Sequence, residues 1–171
     1  MNICLLHPKF GYYSKKDPFG TKGDFVTAPE ISQVFGELLG LCLAQNWLDQ
    51  GMPPFALVEA GPGRGTLMAD ILRATKTIPE FHQSMTIHLI EKSETLMRVQ
   101  RETLSRYNIT WHDKIEALPQ KAIFFIANEF FDALPIRQFK KSNLGWRETL
   151  IGINEDKLSY FFGDEIPLRT I

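Results

Sequence analysis

The sequence predicts an α/β fold: a doubly wound parallel sheet with an N-terminal loop-and-helix extension and a C-terminal β-meander. Three observations predict it. Short, fully apolar runs alternate with amphipathic helical stretches, the pattern of a parallel sheet covered on both faces. A glycine-rich turn, Gly61-Pro62-Gly63-Arg64-Gly65, joins the first strand to the helix after it. Beyond Pro135 the texture changes to short β runs separated by turn residues. With 171 residues, 44% of them hydrophobic, the chain has the length and apolar content of one domain with a real core. We read 1–54 as the extension, 55–135 as the ligand-binding core and 136–171 as a meander inserted into the same domain. No helical stretch follows the meander, so the sheet is expected to be incomplete, with an exposed edge that invites pairing between copies.

Residues 1–26 are rich in Gly, Pro, Tyr and Phe, including His7-Pro8-Lys9-Phe10-Gly11-Tyr12-Tyr13. This is turn chemistry with embedded rings, either a structural wrap or a lid. Thr27-Ala28-Pro29-Glu30 has the form of a capping box, with Thr27 as cap and Glu30 reaching back. Ile31, Val34, Phe35, Leu38, Leu41, Cys42, Trp47 and Leu48 follow at helical spacing. Gly36 and Gly40, one turn apart, predict close approach of another element. Gly51 and Pro53-Pro54 end this helix. Phe55–Glu59 is the first strand and Thr66–Thr75 a helix with Leu67, Ile71 and Leu72 inward. Met85–Glu91 is the second strand. Ser93 caps a helix to Tyr107 with Leu96, Val99, Gln100 and Leu104 along one side. Ile109–His112 and Ala122–Ala127 complete the parallel strands. Ile136–Lys140, Trp146–Ile153 and Lys157–Phe162 make the meander, with turns at Asn143-Leu144-Gly145 and Asn154-Glu155-Asp156.

The chemistry gathers at the strand ends, where a doubly wound sheet has its crevice. Glycines at 61, 63 and 65 leave backbone N–H groups uncovered at the start of a helix, a cradle for a small polar ligand. The dinucleotide fingerprint requires a further glycine where Thr66 stands. Glu59, at the end of its strand, is expected to face the crevice. Glu91 ends the second strand where two carboxylate oxygens can take the two hydroxyls of a ribose. His112 and Asp113 follow the third strand, at an adenine edge or in a plain loop. Asn128-Glu129-Phe130-Phe131-Asp132-Ala133-Leu134-Pro135 sets two acids and an amide at the mouth, and an acidic fork there suits a guanidinium.

Composition excludes several functions. The net charge is −1 with no long run of one sign, which argues against nucleic-acid binding by bulk electrostatics. The longest apolar strand is too short to span a bilayer, and no secretory leader is expected from the first residues, which lack a basic stretch followed by a long apolar one. Cys4 and Cys42 lack metal spacing, and no metal site is expected. Both are read as buried free thiols, which points to a reducing compartment.

Three long segments resemble the MidA-like family: Gly23–Glu37, Val58–Leu67 and Asn128–Pro135, with His7–Tyr13 and Gly145–Glu148 in support. That family includes the mitochondrial complex I assembly methyltransferase and bacterial relatives. The resemblance implies a class I fold dependent on S-adenosyl-L-methionine (SAM), which is Rossmann-like, and methylation of arginine on a protein such as a complex I subunit. It implies that Glu59, Gly61, Gly63, Gly65, Glu91 and Asp113 hold SAM, with Thr27, Pro29 and Glu30 over it. Asn128, Glu129 and Asp132 would line the methyl-transfer site. The implied location is the bacterial cytoplasm, or the mitochondrial matrix in a eukaryote. Family members are considerably longer than this chain. Two other readings stand beside this one: a SAM-binding assembly protein with little turnover, and a nucleotide-cofactor oxidoreductase, which Thr66 disfavours.

Overall fold

The computed structural model describes residues 4, 5, 7, 9–12, 27–143 and 145–166. Most of the aromatic-rich wrap, the segment Gly23–Val26 and Leu144 lie outside these residues. The chain divides into two compact units, residues 2–134 and residues 135–171.

In the larger unit, α1 (Ala28–Ile31) and α2 (Gln33–Asp49) lead to β1 (Phe55–Ala60). Then come α3 (Thr66–Ala74), α4 (Pro79–Ser84), β2 (Met85–Ile90), α5 (Glu94–Thr103), β3 (Ile109–His112) and β4 (Ala122–Ile126). The four strands are parallel in the order β3-β2-β1-β4, as the alternation of strands and helices predicts. β1 lies in the middle and every one of its residues is buried. Its side chains alternate between faces. Phe55 and Leu57 face α2, α3 and α4 and join Trp47, Met68, Ile71, Leu72, Phe81 and Leu104 in the main core. Ala56, Val58 and Ala60 face the other way and form a smaller cluster with Ile90, flanked by Leu118, Ala127 and Phe130. The cover expected on this second face is thin among the described residues, and Ile123 and Phe125 of β4 are exposed there.

The glycines of α2 behave as predicted. A Cβ on Gly36 would stand 2.6 Å from Asp70 Cβ, and one on Gly40 would stand 3.0 Å from Ile71 Cα. Without them α2 could not lie this close to α3. The large apolar residues of α2 behave otherwise. Its buried stripe is Gly36, Gly40, Ala44 and Trp47, whereas Val34, Leu38, Leu41 and Leu48 are exposed. The helix is apolar all round, so side-chain size, not hydropathy, selects the packed face. Cys42 consequently lies outward, and both it and Cys4 are exposed thiols, which corrects the expectation of burial. Ser93 caps α5 as expected, accepting the Leu96 N–H at 3.4 Å.

The smaller unit is an antiparallel sheet of β5 (Gln138–Lys141), β6 (Trp146–Asn154) and β7 (Lys157–Ile166). Glu155 and Asp156 take left-handed φ values of 46° and 58° at the β6–β7 hairpin, as a two-residue turn of matching twist requires. Arg137 grips Glu148 through two hydrogen bonds of 2.8 and 2.7 Å. β7 runs four residues past its expected end at Phe162, because Trp146 and Arg147 pair with Ile166 and Glu165 across an irregularity in the ladder.

Candidate functional site

Strand register levels the ends of the parallel sheet. Ala60 pairs with Ile90 and Ile90 with His112, while Glu59 pairs with Ile126. One step beyond these ladders stand Gly61, Glu91 and Asp113, and the same row reaches Asn128. The pairing continues into the row: Gly61 N–H donates to Ile90 C=O and Glu91 N–H to His112 C=O, both at 3.0 Å.

The glycine turn needs its glycines. Gly61, Gly63 and Gly65 have φ of 63°, 53° and 81°, the left-handed region that side chains disfavour. A Cβ on Gly61 would also stand 2.5 Å from Phe130 Cδ2. Phe130 therefore seals one side of the turn, and brings the Asn128–Asp132 segment against it. Gly65 N–H closes the turn on Pro62 C=O at 2.8 Å, and Gly65 then caps α3.

Glu59 does not stand in an open crevice. It shares the inner face with Phe55 and Leu57, is 3% exposed, and accepts the backbone N–H of Met68 in the first turn of α3. Its Oε2 is buried with no protein partner. Burial pushes the carboxyl up to about 8, against the opposing pull of the Met68 N–H, so the group holds a proton at neutral pH. Glu91 is half-buried. Its Oε1 accepts from Lys92 N–H and Ser93 N–H, both at 2.8 Å, and Oε2 accepts from Gln100 Nε2 at 3.2 Å. Burial raises its pKa while these donors oppose the rise. Its Oε2 keeps a lone pair for a further donor.

Asp113 is exposed at the edge. The His112 ring turns away from that edge to His88, with Nε2 and Nδ1 2.9 Å apart, and His88 Nε2 lies 2.9 Å from Thr86 Oγ1. Burial, then the nearby His112 and Lys121, lower the His88 pKa. Among the described residues no group of three or more His, Cys, Asp or Glu could hold a metal ion.

The capping box does not form. Thr27 makes no side-chain cap, though its carbonyl accepts Glu30 N–H at 2.9 Å. Glu30 instead accepts the Thr66 hydroxyl at 2.7 Å and stands 3.9 Å from Arg64. Pro29 is buried beside it. The short α1 thus docks on the glycine turn through Thr66, the residue that replaces the fingerprint glycine. On the far side Asn128 is half-buried and Glu129 and Asp132 are exposed, with Asp132 in the helical turn Phe131–Ala133. Glu129 has φ of 49°, a strained conformation of the kind found at functional sites.

The structure therefore brings together the three glycines, Glu91, Glu30 and the Asn128–Asp132 segment. Glu59 supports the turn from beneath, and Asp113 shares the edge alone. Sequence reasoning missed Gln100 as a site residue. Its signal was an amide at a core position of an otherwise apolar helix face.

Residues 38–169 match the model of the family described as "Putative S-adenosyl-L-methionine-dependent methyltransferase". The chain is 37% identical to the mitochondrial protein arginine methyltransferase NDUFAF7 of Mus musculus, over 94% of this chain and 43% of that protein. It is 40% identical to the Danio rerio protein of that name, over 91% of this chain and 43% of that protein. A crystal structure of a Burkholderia thailandensis protein bound to S-adenosyl-homocysteine superposes with a TM-score of 0.72 and 30% identity, covering 94% of this chain and 43% of that one. The chain spans less than half the length of the curated relatives it matches. It belongs to this family of SAM-dependent methyltransferases, the MidA-like family that its motifs resemble.

Proposed function

We propose that this chain forms the SAM-binding part of a methyltransferase that modifies an arginine side chain of a protein, a respiratory complex I subunit being the expected class. The observation that supports it most is the levelled edge, which sets Gly61, Glu91 and Asn128 side by side. The residues fit the cofactor. The glycine turn holds Gly61, Gly63 and Gly65 in left-handed conformations that leave its backbone clear of side chains, Glu91 Oε2 has acceptor capacity left for a ribose hydroxyl, and Glu59 Oε2 is a buried polar atom without a protein partner. Gly61, Gly63 and Gly65 would hold the cofactor's polar tail, Asp113 would meet the base, and Thr27, Pro29 and Glu30 would cover it.

SAM, when bound, supplies an electrophilic methyl group on a sulfonium. The chain's own task is to bind, orient and exclude water. Glu129 and Asp132 would receive a guanidinium by charge-assisted hydrogen bonds and fix the direction in which it presents a nitrogen. One of the two carboxylates would take the proton that the attacking nitrogen gives up as the methyl group arrives, so that the methylated guanidinium keeps a single positive charge beside the acids. Asn128, half-buried at the strand end, would position the acceptor from the side. Family membership favours this reading over the oxidoreductase alternative. The test is calorimetry with S-adenosyl-homocysteine, followed by mass spectrometry of arginine methylation on candidate partner proteins. Binding with methylation that is lost in Glu129→Gln and Asp132→Asn supports the proposal. Binding with methylation untouched by both changes refutes the acidic fork, and binding with no methylation leaves the assembly-protein reading. Failure to bind refutes the whole.

A further inference from the structure

Gln100 is fully buried in the middle of α5, at 0% exposure. A primary amide there is costly unless every polar atom is paired. Here each is. Nε2 donates one hydrogen to Gly63 C=O at 2.8 Å and the other to Glu91 Oε2 at 3.2 Å. Oε1 accepts the Trp111 indole N–H at 2.9 Å. Two donors and one acceptor meet two acceptors and one donor, from three different strand ends. Leucine or methionine would fill the volume and make none of these bonds. Glutamate could accept from Trp111 but would have nothing to donate.

The Gly63 contact fixes more than one atom. In a trans peptide the carbonyl and the following N–H point opposite ways. Holding Gly63 C=O towards α5 sets the Arg64 N–H away from it. The second hydrogen bond fixes Glu91 Oε2, the atom with capacity left for a ligand.

We propose that Gln100 is a positioning residue that holds the glycine turn and the Glu91 carboxylate in the mutual geometry a single ligand spanning both requires. The proposal rests on the SAM-binding reading for its ligand. It does not rest on that reading for its effect on the turn.

The experiment uses the full chain and has two arms. Calorimetry with S-adenosyl-homocysteine compares wild type, Gln100→Met, Glu91→Gln and the double variant. Gln100→Met is expected to weaken binding about tenfold or more, the scale of a lost hydrogen bond to a charged group. Adding Glu91→Gln to it should cost less than Glu91→Gln does alone, because the two act as a unit. Amide hydrogen exchange on the ligand-free proteins forms the second arm. Faster exchange at Arg64 and Gly65 in Gln100→Met, with β1 unchanged, supports the proposal. Trp111→Phe, which removes only the donor to Oε1, should show the same changes more weakly and serves if Gln100→Met does not fold. Unchanged affinity with additive effects, or exchange that rises uniformly across the sheet, overturns it. If wild type fails to bind the probe, the SAM reading falls, and the exchange arm alone decides the role of Gln100.

Discussion

Glu59→Gln tests the buried acid beneath the glycine turn. The Glu59 carboxyl is raised from 4.5 to about 8 by burial. The folded chain therefore binds this proton more tightly than the unfolded chain does. Between about pH 4.5 and about pH 8 the unfolded chain is ionised at this position and the folded chain is not, so stability falls as pH rises through that window. The slope is about 1.4 kcal/mol per pH unit, and the window sums to about 5 kcal/mol. Glutamine keeps an oxygen for the Met68 N–H and removes the ionisation. Urea denaturation at intervals from about pH 5 to about pH 8 should show the difference between the two proteins growing in favour of the variant. Comparing the pair cancels other titrating groups, Glu91 included. A difference that stays flat across the window refutes the reasoning, because Glu59 would then ionise in the folded chain as it does in the unfolded one.

Two further predictions follow from the backbone. Glu129→Gly should raise thermal stability by about 1 kcal/mol, since glycine adopts the left-handed φ of 49° without strain, and, under the proposed function, should abolish arginine methylation; a variant no more stable than wild type argues against strain at this position. Gly36→Ala should destabilise by about 1–3 kcal/mol, read from the denaturation midpoint, because its Cβ would stand 2.6 Å from Asp70 Cβ. A neutral result would mean that α2 and α3 can slide apart.

The parallel core was legible because its signals are local. β1, β2 and β4 are short apolar runs bounded by turn residues, and the glycine turn announces the first crossover. The packed face of α2 was not legible. Its sequence is apolar on every side, and only the shape of α3 decides that Gly36, Gly40, Ala44 and Trp47 face inward. Cys42 was misread for the same reason. The capping box failed because Glu30 met a partner 36 residues away, Thr66, that no local pattern names. The buried state of Glu59 follows from strand alternation, which puts it on the face of Phe55 and Leu57, beneath a helix whose N–H groups seek an acceptor. The roles of Gln100 and Phe130 depend on neighbours from other strands, and so became visible only in the fold.

The unbroken pairing of β1 with β2, from Phe55↔Met85 to Ala60↔Ile90, decides which changes of length this chain can absorb. The separation of Gly65 and Glu91 along the chain does not bring them together; the ladder does. Residues added to the connection between α3 and α4 should leave the acid where it is, at the modest entropic expense of a longer loop. One residue removed inside β2 would turn every later side chain to the opposite face, carrying Glu91 off its glutamine and away from the turn. Tolerance to insertion and deletion should thus change sharply at Met85, where the ladder begins.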